Sequence, residues 1–212
     1  GHADIEIVLD VIAAPTVLVD DVLTIPTAGA AYVDGVRSDG HPAPTYTVVD
    51  GALPTGLSID LQTGVVSGIA TVAGQPYSFT IRSTNAHGHV DRSFTGTVAA
   101  VPQFDDVEVE GLVAGRPFAD DVHAGGVPAP TYAVVGGALP TGIALDPATG
   151  GLSGTPTRRG QTFRFTVAAT NAAGSVTTEI AGTVDAAPVF ETTTIDQPRV
   201  GRPVDLVLDV DA

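Results

Sequence analysis

The clearest pattern along the chain is an alternation of apolar and polar positions. Phe163, Phe165, Val167 and Ala169 interleave with Arg164, Thr166 and Ala168. Tyr77, Phe79, Ile81 and Ser83 interleave with Ser78, Thr80 and Arg82 in the same way. Successive side chains of a strand point to opposite faces, so a period of two with one apolar face predicts a half-buried β-strand. Over residues 101–186 the pattern predicts seven short strands, near 103–110, 117–124, 131–135, 143–145, 150–154, 162–170 and 175–184. No window of useful length shows a helical period. Short strands with Gly and Pro between them predict an all-β sandwich.

The pattern occurs twice because the sequence does. PAPTYTVVDGALPTGLSIDLQTG, beginning at Pro42, returns at Pro128 as PAPTYAVVGGALPTGIALDPATG. The copies align without a gap over 57 residues at an offset of 86, with 31 identities. Internal repetition of this kind predicts tandem modules, here residues 14–100 and 101–186. Residues 1–13 match the end of a module, Asp4 falling on Asp91 and Val11 on Val98, and read as the last strand of a preceding unit. Residues 187–212 repeat an opening, with Phe104/Phe190 and Gly115-Arg116-Pro117/Gly201-Arg202-Pro203 at the same offset, and read as the first strands of a following unit. The expectation is an excerpt from a longer array.

The turns between strands repeat as well. Asp60 precedes Thr63-Gly64 as Asp146 precedes Thr149-Gly150. Gly takes the left-handed conformation, and the Asp side chain accepts backbone N–H groups across the turn. Asn85 and Asn171 are the only two asparagines, and each opens an Asn-Ala-x-Gly hairpin turn ending at Gly88 or Gly174. Leu53-Pro54-Thr55-Gly56 and Leu139-Pro140-Thr141-Gly142 read as corners where the chain changes sheet.

Composition narrows the function classes. The net charge is −15, which argues against nucleic acid as a partner, because binding phosphates needs a basic surface. There is no Cys and no Lys, so disulfides, thiol chemistry and Schiff bases are excluded. No stretch approaches the roughly 18 apolar residues of a membrane-spanning helix.

The repeated residues carry a resemblance. PAPTY-x-V-x-x-G-ALPTG, then D-x-x-TG and SG, then G-x-x-[YF]-x-FT and TN-A-x-G, resemble the putative-Ig modules of bacterial surface and secreted proteins, relatives of cadherin-like and dystroglycan-type modules. The resemblance implies tandem Ig-like seven-stranded β-sandwiches, used in adhesins, stalks and surface layers and as spacers in secreted enzymes. It implies an extracellular or cell-surface location. Cadherin-type repeats place an Asp-x-Asn-Asp-Asn run before the next module. Here that place reads Val98 to Phe104 and Val184 to Phe190, which together hold a single acidic residue, Asp185, too few for the cadherin-type site.

Candidate chemistry is sparse. No cofactor is expected. If calcium bound, its candidate ligands would be the doublets Asp20-Asp21 and Asp105-Asp106 near the module entries, but a hard cation wants six or more oxygens. His87, His89 and Asp91 cluster beside Asn85, yet the sister copy has Ala173, Ser175 and Thr177 there. No Ser sits in a nucleophile elbow, and no His is shared between the two full modules, so an enzyme is not expected. The residues expected to pack one module on the next are Pro102, Phe104, Pro188 and Phe190. The expected partners are neighbouring copies in cis and other chains through exposed strand edges, without nucleic acid or membrane insertion. The function expected is a non-catalytic stalk or adhesin segment. The alternatives are a self-assembling filament or surface-layer subunit, and an accessory glycan- or protein-binding module of a secreted enzyme. The last would present exposed aromatic residues, and the shared position of Tyr46 and Tyr132 places them in the core instead.

Overall fold

The computed structural model describes residues 12–17, 23–105, 107–186, 189–190 and 210–211. The chain forms two compact units that divide between Val101 and Pro102, with Gly126–Ala129 and Asn171–Gly174 grouped with the first.

The first copy contributes strands β1 (Ala13–Val17), β2 (Ala31–Gly35), β3 (Ser38–His41), β4 (Thr45–Ala52), β5 (Leu57–Ile59), β6 (Val65–Ile69), β7 (Pro76–Asn85) and β8 (Gly88–Thr97). They pair antiparallel in the orders β2-β6-β5, β4-β7-β8 and β1-β3. The alternation read from the sequence is the alternation of burial: Phe79, Ile81 and Ser83 of β7 are buried, and Ser78 and Thr84 are exposed. Between the sheets lie Val36, Tyr46, Val66, Phe79 and Ile81.

The second copy repeats the plan with β9 (Ala100–Phe104), β10 (Phe118–Asp121), β11 (Ala124–Val127), β12 (Thr131–Ala138), β13 (Ile143–Leu145), β14 (Gly151–Gly154), β15 (Thr162–Asn171) and β16 (Gly174–Thr183). The orders are β10-β14-β13, β12-β15-β16 and β11-β9. Its core holds Val122, Tyr132, Leu152, Phe165, Val167 and Val184, each at most 5 % exposed. Two last strands, β17 (Val189–Phe190) and β18 (Val210–Asp211), pair antiparallel with each other.

Two expectations about strands are corrected. The strand expected over 103–110 lies at Ala100–Phe104. The strand expected over 117–124 is two strands, broken at Val122-His123. β10 pairs with β14, and β11 pairs with β9. The break has a physical cause. The Val122 N–H turns to the carbonyl of Gly150, in the loop before β14, so one run of residues serves two sheets. Among the described residues each copy therefore shows eight strands where seven were expected, and the expected β-sandwich is retained.

A β-bulge interrupts the β4–β7 register between Val48 and Asp50 and the β12–β15 register between Val134 and Gly136. Gly51 and Gly137 follow at φ 68°, where a side chain would meet the carbonyl of Ser78 or Arg164. The peptide bonds His41-Pro42 and Val127-Pro128 are both cis.

Candidate functional site

Side chains that the two copies share make matching hydrogen bonds at several places, and four of these tie turns, corners and strand ends together. The first is the Asp turn. Asp60 Oδ1 accepts the N–H groups of Gln62 and Thr63, both at 2.9 Å, and its backbone carbonyl accepts Gly64 N–H at 2.9 Å. Asp146 accepts Ala148 and Thr149 N–H at 2.8 and 3.3 Å, and its carbonyl accepts Gly150 N–H at 2.9 Å. The turn hydrogen bonds, from Thr63 and Gln62 in one copy and first from Ala148 in the other, hold both carboxyls below the usual carboxylate range. Gly64 at φ 73° and Gly150 at φ 80° close the turns against Val36 and Val122 and against the rings of Tyr46 and Tyr132.

The second place is that tyrosine. Its ring is buried in both copies, 5 % exposed, and its hydroxyl reaches the strand that pairs with β1 or β9. Tyr46 Oη accepts Ser38 N–H at 3.3 Å, and Tyr132 Oη accepts Ala124 N–H at 3.0 Å. The backbone N–H of each Tyr donates to the Asp turn, Tyr46 to Leu61 and Tyr132 to Pro147, at 2.8 Å.

The third place is the asparagine. Asn85 Nδ2 donates to the carbonyls of Ala13 (2.7 Å) and Pro42 (2.9 Å), while its Oδ1 accepts His87 N–H at 2.9 Å. Asn171 Nδ2 donates to Ala100 (2.8 Å) and Pro128 (2.7 Å), and its Oδ1 accepts Ala173 and Gly174 N–H. The amide thus fastens its own hairpin, the first residue of β1 or β9, and the cis-proline. A carboxylate there could not donate, which explains the residue type.

The fourth place is a glutamine. Gln75 Oε1 accepts Thr55 N–H at 3.0 Å, and Gln161 Oε1 accepts Thr141 N–H at 3.3 Å. Each secures the Pro-Thr-Gly corner where the chain leaves the β4 or β12 sheet. Nearby the backbone adds a parallel bridge, Thr27 with Ala99 and Val113 with Asp185. Ala99 donates to Pro26 and accepts from Ala28; Asp185 donates to Leu112 and accepts from Ala114, at 2.7–2.9 Å.

The candidate metal-ligating residues differ between the copies, and two of their carboxylates are paired. Asp91 accepts both Nε and Nη2 of Arg82 at 2.7 Å, which takes its carboxylate out of a His87–His89 site. That pair holds the carboxyl low and the guanidinium high. Asp105 contacts His123 Nδ1 at 2.7 Å, with both side chains largely exposed. Asp20, Asp21, Asp106 and Pro188 lie outside the described residues, and so does the side chain of Phe190. Among the described residues no group of three or more His, Cys, Asp or Glu is placed to hold a metal. Pro102 is buried, and Phe104, expected at a junction, packs against the second unit's own core.

The Putative Ig domain family model matches residues 7–99 and 109–185. The chain belongs to this family. Similar solved structures are tandem Ig domains. Drosophila OTK extracellular domains 3–5 align with TM-score 0.61 and 16% identity over 85% of this chain and 64% of that one. Sidekick-1 immunoglobulin domains 1–5 align with TM-score 0.59 and 17% identity over 86% and 42%. The titin I-band fragment I67–I69 aligns with TM-score 0.56 and 16% identity over 86% and 69%. The chain spans less than two thirds of the first two of these. No curated protein matches it in sequence. Among the described residues no helix is long and apolar enough to cross a membrane.

Sequence reading named the Asp turns and the Asn hairpins. It missed what the Asn amide reaches, carbonyls 43 and 72 residues away in the first copy. The available signal was that the chain's only two asparagines occupy one repeat position.

Proposed function

We propose that the chain is a non-catalytic structural segment of a bacterial extracellular protein, a stalk or adhesin built from tandem modules of this family, whose partners are neighbouring modules in cis. One observation carries the reading: the ties repeated in both copies fasten the points where the chain enters and leaves each sandwich. At the entry, the amides of Asn85 and Asn171 grip the carbonyls of Ala13 and Ala100. At the exit, Ala99 and Asp185 are held in parallel bridges. Tension along the backbone meets these bonds first, so the shared side chains serve load-bearing geometry. The side chains that differ between copies do not form a common site.

The reading as an accessory glycan-binding module asks for an exposed aromatic platform. The ten aromatic side chains whose burial is described are buried or half-buried, which favours the structural reading. The test is the protein as isolated from its source. A denatured mass well above 21.3 kDa, with antibody reaching the antigen on intact cells, is the expected result. A mass near 21.3 kDa in an assembled particle would overturn the stalk and put the self-assembling subunit in its place.

A further inference from the structure

Two tandem copies with this much identity face a pairing problem. The hairpins β7–β8 and β15–β16 carry similar buried faces: Phe79 and Ile81 in one strand stand where Phe165 and Val167 stand in the other. Each hairpin also covers a glycine of its second strand with an aromatic ring of its first, Tyr77 over Gly96 and Phe163 over Gly182. A strand from one copy would therefore fit the core of the other. Exchange of identical elements is a characteristic failure of repeat proteins.

The exposed faces do not interchange. Arg82 lies directly opposite Asp91 in the β7–β8 register and binds it through two hydrogen bonds of 2.7 Å. The second copy has Ala168 and Thr177 at those positions. Its own pair is Arg164 with Glu179, at 2.7 Å, where the first copy has Ser78 and Ser93. If β7 took β16 at the matching register, Arg82 would face Thr177. If β15 took β8, Asp91 would face Ala168, and Arg164 would find Ser93 where its carboxylate belongs. Either exchange leaves a charge without its partner, and both together leave all four.

We propose that these two offset ion pairs form a copy-specific pairing code that directs each hairpin to close within its own sandwich. Opposite charges across strands favour the correct pair and penalise the wrong one, which is how specificity is gained when the cores do not discriminate.

The test is refolding of the full chain from denaturant. In one variant the first copy receives the second copy's pair (Arg82→Ala, Asp91→Thr, Ser78→Arg, Ser93→Glu), so each sandwich keeps an ion pair but the two codes become identical. In the other the first copy's pair is reversed (Arg82→Asp, Asp91→Arg), which keeps both the pair and the difference. The fraction not recovered as native monomer is read by size-exclusion chromatography. The fraction of single tethered chains that unfold in one long step instead of two is read by pulling. The identical-code variant is expected to raise both fractions about threefold or more over the native chain, while the reversed variant stays within the native range. Equal fractions in the identical-code variant and the native chain would overturn the proposal. So would a reversed variant that misassembles as much as the identical-code one, because the pairs would then act only as local stabilisers.

Discussion

Among the described residues, six buried side chains form the core cluster of the first unit and eleven form that of the second. The strands correspond, so the difference lies in what fills the space between them. Ile180 and Phe163 are buried in the second unit, while Phe94 and Tyr77, at the same repeat positions, are half-buried in the first. Leu112 also closes the second core at 2 % exposure. The first unit closes with polar ties. The Tyr32 hydroxyl donates to the Thr24 carbonyl at 2.9 Å, and Asp34 Oδ2 accepts both the N–H and the hydroxyl of Thr24 at 2.8 Å. The second copy has Phe118 and Asp120 at the positions of Tyr32 and Asp34. One fold is thus completed in two ways, more by apolar burial in one copy and more by hydrogen bonds in the other. A net hydrogen bond contributes about 1 kcal/mol, against about 1.5–3 kcal/mol for burying a large apolar side chain. The second unit should therefore be the more stable.

The largest expected effect is at the core. Phe165→Ala should cost about 3–5 kcal/mol and move only the later of two denaturant transitions. Phe79→Ala should cost less and move only the earlier one, because the described core cluster it belongs to is smaller. A single merged transition, or the reverse order, would break the comparison.

Next are the shared amides. Asn85→Ala and Asn171→Ala each leave two carbonyls without their donor and should cost about 1–3 kcal/mol, each in the transition of its own copy. Similar losses at both positions would show that this tie does not depend on how the core is filled.

Tyr32→Phe should cost about 1 kcal/mol in the first unit alone. It also removes a pH effect. Burial pushes the Tyr32 hydroxyl up to about 12, against an ordinary value of 10.0. Its contribution is therefore complete below pH 10 and lost as pH rises towards 12. Phe118 does not titrate, so in an alkaline unfolding series the first unit should weaken over this window more than the second, and the Tyr32→Phe variant should narrow that gap.

Acid gives the smallest effect and the opposite sign. Asp60 and Asp146 have lowered values in both copies, so this contribution is present above about pH 4 and lost as pH falls through the lowered values. The first unit adds two more such groups. Burial pushes Asp34 up, but hydrogen bonds from Thr24 and Gly35 outweigh it, and Arg82 lowers Asp91. Thermal midpoints measured between pH 5 and 2 should fall in both units, and further in the first.

Much of this was legible in the sequence, for identifiable reasons. Alternation at Phe163–Ala169 marks one buried face because side-chain direction on a strand is local, and the Asp-x-x-Thr-Gly turn closes within five residues. The Asn amide, the Gln75 and Gln161 corner ties and the parallel bridges join residues 20 to 72 apart. Nothing local sets such distances, so only the fold reveals them. The split of 117–124 into β10 and β11 was hidden for the same reason, since pairing partners and not residue pattern decide where one strand ends.

The most direct test of the load-bearing account is to pull single full-length chains from their ends, native and with Asn85→Ala and Asn171→Ala combined. The account predicts two unfolding events in the native chain and a lower force for both in the double variant, even at a temperature chosen to equalise thermodynamic stability. Unchanged forces under matched stability would contradict it, and would reduce the repeated amides to ordinary folding contacts.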